Sequence, residues 1–393
     1  MAGRRESSEA IGRAQNVVDA VRAAADRVEA GRALPPDVVA ALHDARLFRL
    51  MLPREIGGDA AHLKTLAQVI EIIAEADAST AWCLGQAAGC AMSAAYLKPE
   101  AMRRLFGPAD AVLAWGAGIA GRAVMVEGGY RVTGTWMFAS GCANATLLGG
   151  HSFVFNADGS PCRRADGSHL DRTALFPLSK AKIEGVWNTI GLRGTASYTY
   201  AVEELFVPAD EAVDRDRDSE RTADDDVYLF PTTLAYATAF SALMLGIANG
   251  MVKDLTVLAA TKTARGAASS LMESPVFQSQ LAVLNARVRS LRAYLHTTLD
   301  EVWDKAVVAR DVALIERANL KLASTYVINE GVDIATAAYR AAGNTAIFEA
   351  QPFERRLRDA NAASQQLQGR PANFVTIGRV MLGLPPDTPI VLG

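Results

Sequence analysis

The sequence predicts a mainly α protein with a central β domain. It divides into an N-terminal helical domain over residues 1–110, a middle β-barrel or sandwich over 111–208, a charged linker over 209–226 and a C-terminal four-helix bundle over 227–393. Three observations carry this. Apolar residues in the first hundred positions recur at three- and four-residue spacing. From Ala111 they alternate or come in short runs broken by glycine, the pattern of strands. From Tyr228 the chain returns to long Ala-, Leu- and Val-rich stretches with short links, as in an antiparallel bundle. The length, 393 residues, suits two to three domains and allows a large core without disulfide or metal staples.

In chain order, Ile11, Val17, Val18, Val21, Ala25 and Val28 form one face of a first helix. Pro35-Pro36 ends it and starts a second, running towards Phe48. The turn Pro53-Arg54-Glu55-Ile56-Gly57-Gly58 follows, then helices over Leu63–Ala76 and Ser79–Leu97, with Ser79 as the expected N-cap of the latter. Six to eight strands are expected next, with a hairpin turn at Glu127-Gly128-Gly129-Tyr130. Residues 209–226 hold nine acids and three arginines, a charge density that reads as a solvated connector. Bundle helices are expected over Tyr228–Thr263, Pro275–Ala306, Asp311–Ala342 and Ala346–Leu367, the last two separated at Gly343-Asn344.

Composition excludes several function classes. A net charge of −3 gives no basic surface for nucleic acid or anionic membranes. Four scattered cysteines and five histidines, with no CxxC pair and no HExxH, offer no metal site and no disulfide framework. No signal peptide and no run of 18 apolar residues is visible, so the expectation is a cytoplasmic protein.

Four motifs in order resemble the acyl-CoA dehydrogenase superfamily over nearly the whole chain. They are the Pro53–Gly58 turn; Gly129–Gly141 with its Trp136-Met137-Phe138-Ala139-Ser140-Gly141 core; Gly191-Leu192-Arg193-Gly194-Thr195-Ala196-Ser197 followed by Glu204–Pro208; and Arg355-Arg356-Leu357-Arg358-Asp359-Ala360. The resemblance implies a flavin, FAD or FMN, between the β domain and the bundle of a homotetramer. In that family Phe138 falls where an aromatic wall stands and Ser140 where a hydroxyl reaches the flavin N5. Without the resemblance the two read as a strand core residue and a turn hydroxyl. Arg265 falls near an arginine that meets cofactor phosphates across a subunit interface, a task that suits a guanidinium; a helix C-terminus explains it equally well. Gln278 falls where the family's chain enters a helix near the flavin, and can contact flavin or cap that helix.

The family's dehydrogenases remove an α-proton with a glutamate. Gln368 stands where that Glu is often found, and an amide accepts no proton at neutral pH. On the first bundle helix Asp254 is the nearest acid to the family's other base position. The resemblance is therefore nearer to the flavin-dependent monooxygenase branch, two-component aromatic hydroxylases whose motif often reads W-x-F-x-S-G. That branch implies reduced flavin from a separate NAD(P)H flavin reductase, molecular oxygen and a small aromatic or heteroatom-bearing substrate hydroxylated through a C4a-hydroperoxyflavin. It assigns Ser140, Asn361 and Gln365 to catalysis, Phe138, Ser140, Arg265, Gln278 and Gln368 to the cofactor, and Gln86, Trp82 and Trp115 to the substrate pocket. The histidines such hydroxylases often carry near Gln86 and after Asp359 are absent here, with amides in their place. Two alternatives stay open: an acyl-CoA dehydrogenase using FAD and an atypical base such as Glu349 or Asp359, and a non-catalytic relative acting as an assembly partner.

Overall fold

Five helices, eight strands and five further helices follow one another in the computed structural model, which describes residues 2–215, 217–263 and 269–393. The first helices are α1 (Ala2–Gly31), α2 (Pro36–Asp44), α3 (Leu63–Ala76), α4 (Ala78–Ala91) and α5 (Pro99–Phe106). In α3, Leu66, Val69, Ile70 and Ile73 lie at helical spacing and are all fully buried. The cap of α4 differs from expectation. Asp77, not Ser79, is the N-cap, its carboxylate accepting from Thr80 N and Thr80 Oγ1 at 2.7 Å each. Ser79 lies inside the helix and accepts from Gly194 N at 3.2 Å instead.

The strands are β1 (Leu113–Trp115), β2 (Gly121–Val126), β3 (Gly129–Ala139), β4 (Leu147–Phe155), β5 (Asp171–Pro177), β6 (Lys182–Glu184), β7 (Tyr198–Pro208) and β8 (Ala212–Val213). They form one sheet in the order β6-β7-β3-β2-β4-β5-β8, with β1 beside β4. The expected hairpin joins β2 to β3, and Gly128 takes the left-handed backbone its turn needs. The sheet's core is built around Trp136, which is fully buried and donates Nε1–H to His151 O at 2.9 Å. A Cβ added at Gly134 or Gly150 would stand 2.7–2.8 Å from its ring, so glycines make the slot that admits it.

The remaining helices are α6 (Thr232–Thr261), α7 (Pro275–Ala309), α8 (Leu314–Ala342), α9 (Pro352–Ser364) and α10 (Asn373–Met381). α6 is apolar all round because it is surrounded by α3, α4, α7, α8 and α9. It is also the one helix among the described residues long and apolar enough to cross a membrane. The N-terminal helices and the bundle share one continuous core, which also takes in Leu113, Trp115, Leu147, Leu175 and Val213 of the strands, whereas the rest of the sheet packs around a second core at Trp136. The acidic stretch 209–226 is not a free tether. β8 pairs with β5, and arginines take its acids: Arg164 with Asp214 (2.7 Å), Arg104 with Asp210 and Glu211, Arg54 with Asp225 (2.7 Å), Arg310 with Asp224 and Asp226. The exposed pairs contribute little singly, but together with the largely buried Arg164–Asp214 pair they lay the segment along the surface.

Trp136→Ala is expected to lower unfolding free energy by about 3–5 kcal/mol, the range for truncating a buried tryptophan. Urea unfolding measures it, and a loss under about 1 kcal/mol would show that the glycine slot collapses around the gap.

Candidate functional site

A β-bulge sets the site. In the β3–β7 ladder Trp136 pairs with Tyr200 and Ala139 with Tyr198, so Met137 and Phe138 together oppose Thr199. Phe138 has φ 64°, a strained setting for an aromatic residue. The bulge turns both side chains out of the sheet, leaving Met137 54% and Phe138 53% exposed. The Trp187 ring meets Phe138 edge-on, 6.1 Å between centroids and 86° between planes. Val186 and Ile190, flanking Trp187, are exposed as well.

Just past the bulge, Ser140 is buried in a line of hydrogen bonds. Trp82 Nε1–H donates to Ser140 Oγ (2.9 Å), which bonds Ser197 Oγ (2.7 Å), which bonds Thr195 Oγ1 (2.7 Å), which donates to Leu192 O (2.9 Å). The two ends fix its direction. An indole N–H only donates and a carbonyl only accepts, and each hydroxyl has one proton. Thr195 uses its proton on Leu192 O, so Ser197 donates to Thr195, and Ser140 donates to Ser197. Ser140 therefore keeps an oxygen lone pair and no spare proton. Behind it, a cavity of about 10 Å³ lined by Cys83, Ala87, Ala114, Gly141 and Asn144 has room for one water.

On the helical side, Trp82 stacks on Phe240 of α6 (4.2 Å, 19°), and Phe240 on Tyr236 (5.8 Å, 9°). Gln86, one turn after Trp82, shares its face of α4. The Tyr236 hydroxyl lies 3.4 Å from Cys90 Sγ, and burial raises it far above its usual pKa. Trp115 on β1 lies edge-on to His151 (4.9 Å), with the Arg215 guanidinium 5.0 Å from its ring centre. His151 is buried, its Nδ1 2.7 Å from Thr173 Oγ1. Burial, then the Arg215 charge, holds its imidazole well below the ordinary 6.5.

The bundle reaches the β domain through α9. Asp359 Oδ1 accepts from Leu192 N at 2.6 Å, and Arg358 Nη1 donates to Ile190 O at 2.6 Å. Burial pushes the Asp359 carboxyl up to about 7; Asp77 and Glu29 add to the shift, and the Leu192 N–H and Arg358 oppose it. Asp359 is thus occupied by a peptide rather than open to a substrate, and Glu349 is exposed.

The structure brings Trp82, Phe138 and Ser140 together. Other residues singled out from the sequence lie elsewhere. Asn361 and Gln365 are on the exposed face at the end of α9, bonded to Leu357 O (2.8 Å) and Ser364 Oγ (3.3 Å). Gln278, exposed in the first turn of α7, donates to Met272 O at 2.9 Å. Gln368 is buried inside the bundle, where its Oε1 accepts from Lys321 Nζ and its Nε2 donates to Thr233 Oγ1 at 3.3 Å. Burial drops that lysine to about 7. Arg265 lies outside the described residues. Sequence reading gave no role to Trp187, Thr195, Ser197, Tyr236 or His151. Only the Thr195-Ala196-Ser197 spacing carried a signal, two hydroxyls on either side of one residue.

Residues 8–106 match the acyl-CoA dehydrogenase N-terminal domain and residues 238–368 the acyl-CoA dehydrogenase C-terminal domain. An indole-3-acetate monooxygenase of Pseudomonas putida is 29% identical, over 94% of this chain and 93% of its own. The flavin-dependent monooxygenase oxygenase subunit HsaA of Rhodococcus jostii is 26% identical, over 93% of this chain and 96% of its own. Among solved structures, XiaF from Streptomyces, in complex with FADH2 and glycerol, superposes with a TM-score of 0.91 at 22% identity, covering 99% of this chain and 98% of that one.

Because the folded-state pKa of His151 is depressed, its ring stays neutral as pH falls from about 7 to about 5.5, a window in which an exposed imidazole takes up a proton. The unfolded chain binds that proton and the folded chain does not, so this one group opposes folding increasingly below about 6.5. NMR of the imidazole carbons checks it; a ring titrating near 6.5 would contradict the burial argument.

Proposed function

The chain belongs to the acyl-CoA dehydrogenase superfamily, and from that membership we propose that it is the oxygenase component of a two-component flavin-dependent monooxygenase. Its substrate is a small aromatic or heteroatom-bearing molecule. One observation carries the reading: an exposed aromatic bulge stands beside a buried hydroxyl whose only free hydrogen-bonding capacity is as an acceptor. In reduced flavin N5 carries a hydrogen, whereas in oxidised flavin N5 accepts. Ser140 as the chain orients it matches the reduced form, and the apolar face of Phe138 and Met137 suits a planar ring.

Reduced flavin, when bound, supplies the electrons that activate molecular oxygen. The protein's part is orientation and exclusion of water. With the cofactor bound, the free lone pair of Ser140 would be the acceptor for the ring's N5–H. Trp82 and Ser197 hold Ser140, and Phe138 braced by Trp187 forms the wall. Trp82, Gln86 and Trp115 border the substrate side, along the Trp82–Phe240–Tyr236 stack. Arg265 and Gln278 serve the cofactor's phosphate end, while Asn361, Gln365 and Gln368 are left to the bundle's own hydrogen bonding. A separate NAD(P)H flavin reductase delivers the cofactor. The working form is a cytoplasmic homotetramer, a state favoured by exposed apolar residues of the bundle such as Val276, Val283, Ile347 and Phe348.

The dehydrogenase alternative finds no carboxylate ready at the family's base positions: Asp254 is paired with Arg356 (2.8 Å) and Gln368 is an amide, while of the atypical candidates Asp359 holds Leu192 N and Glu349 is exposed to solvent. The test mixes the protein with reduced FAD or FMN, oxygen and a panel of phenols, indoles and sulfides. Hydroxylated product is expected. Ser140→Ala should cut product formed per flavin oxidised by about tenfold or more, the scale for losing one preorganised hydrogen bond, with hydrogen peroxide rising in its place. Bleaching of bound FAD by an acyl-CoA, without a reductase, would overturn the reading.

A further inference from the structure

The peptide of Leu192 is gripped from both ends. Its N–H donates to Asp359 Oδ1, and its C=O accepts from Thr195 Oγ1, Trp187 Nε1 (2.9 Å) and Thr195 N (3.3 Å). Leu192 is left-handed, φ 51°, a conformation a leucine keeps only when its surroundings over-determine it. A Cβ at the preceding Gly191 would overlap Arg358 O, so α9 is pressed directly against this backbone. The same carbonyl thus ends the hydroxyl line from Ser140 and anchors the tryptophan that braces Phe138. The group at its other end, Asp359, is on a different domain and is faced by Asp77 of α4, Glu29 of α1, and Arg355 and Arg358 of its own helix.

We propose that Asp359 is a positioning residue for the flavin-facing wall: by holding the Leu192 peptide it fixes Trp187 and, through Thr195 and Ser197, the direction of the hydrogen bond at Ser140. The assignment of that wall to flavin rests on the function proposed above; the clamp itself does not. α9 thereby sets a site it does not touch, and the bundle's docking on the sheet determines whether the hydroxyl line is formed. An acceptor is what the position requires, so asparagine, whose Oδ1 also accepts, should preserve the clamp and alanine should not.

The test is hydrogen–deuterium exchange on full-length wild type, Asp359→Ala and Asp359→Asn without flavin, followed by anaerobic titration of each with reduced and oxidised FAD. In Asp359→Ala, exchange across residues 187–197 should rise about tenfold, as for a lost buried hydrogen bond, while peptides of α6 and α8 are unchanged. Affinity for reduced FAD should fall about tenfold, more than for oxidised FAD. Asp359→Asn should restore both. Thr195→Val, which breaks the line beyond the clamp, covers the case where Asp359→Ala does not fold. It should leave exchange at the Leu192 amide unchanged while removing the preference for reduced FAD. Unchanged exchange across 187–197 in Asp359→Ala, an Asn variant as impaired as Ala, or a Thr195→Val variant that keeps the preference would overturn the proposal. If exchange responds as expected but wild type binds no flavin, the clamp stands and the flavin reading falls.

Discussion

The proposed site turns on the hydrogen bond between Asp359 and the Leu192 backbone, because it ties helix α9 of the bundle to the segment that ends the hydroxyl line beside the sheet. The helices share one apolar core that also takes in Leu113, Trp115, Leu147, Leu175 and Val213 of the strands, and the rest of the sheet packs around Trp136. Beside that apolar contact runs a polar and specific one: one buried carboxyl, one strained backbone segment, and beyond it a line of three hydroxyls ending on an indole. Apolar packing alone would hold the two layers together without fixing their register. A directional chain with one donor end and one acceptor end permits a single arrangement of its protons.

The fold was legible in the sequence because its signals are long-range patterns. Helical periodicity over α3, the glycine-broken strands and the Glu127–Tyr130 turn all appear where expected. The short helices α5 and α10, eight and nine residues long, are not among the expected elements although both are amphipathic. Serine is a good cap, so the sequence alone points to Ser79 as the cap of α4. Asp77 holds that place because it is the last extended residue before the helix. The acidic stretch read as solvated because its partners, Arg54, Arg104, Arg164 and Arg310, are distant in sequence.

The site was legible in part. Phe138 and Ser140 stood out through a motif, but neither the bulge nor the left-handed backbone that exposes Phe138 is written in local propensity; both come from pairing with β7. The hydroxyl line joins positions 82, 140, 197 and 195, a relation no spacing rule reveals. Gln368 shows the converse. Its place in the motif suggested the cofactor, yet its amide faces inward to Lys321, a buried lysine that takes a neutral partner where a carboxylate would make an ion pair. The small numbers of histidines and cysteines, five and four, agree with the proposed site, which relies on hydrogen-bond polarity and shape rather than on a general base.

The most direct measurement is a double-mutant cycle across the hydroxyl line, using Trp82→Phe at its donor end and Thr195→Val towards its acceptor end. The quantity read is the ratio of affinities for reduced and oxidised FAD. A shared directional chain predicts that the two substitutions are non-additive by about 1 kcal/mol, because Trp82→Phe leaves the Ser140 proton on Ser197 while Thr195 stands and bears on its direction only once Thr195→Val has freed it. Additivity within about 0.3 kcal/mol would contradict it, and would mean that Trp82 and Thr195 act on the Ser140 hydroxyl independently.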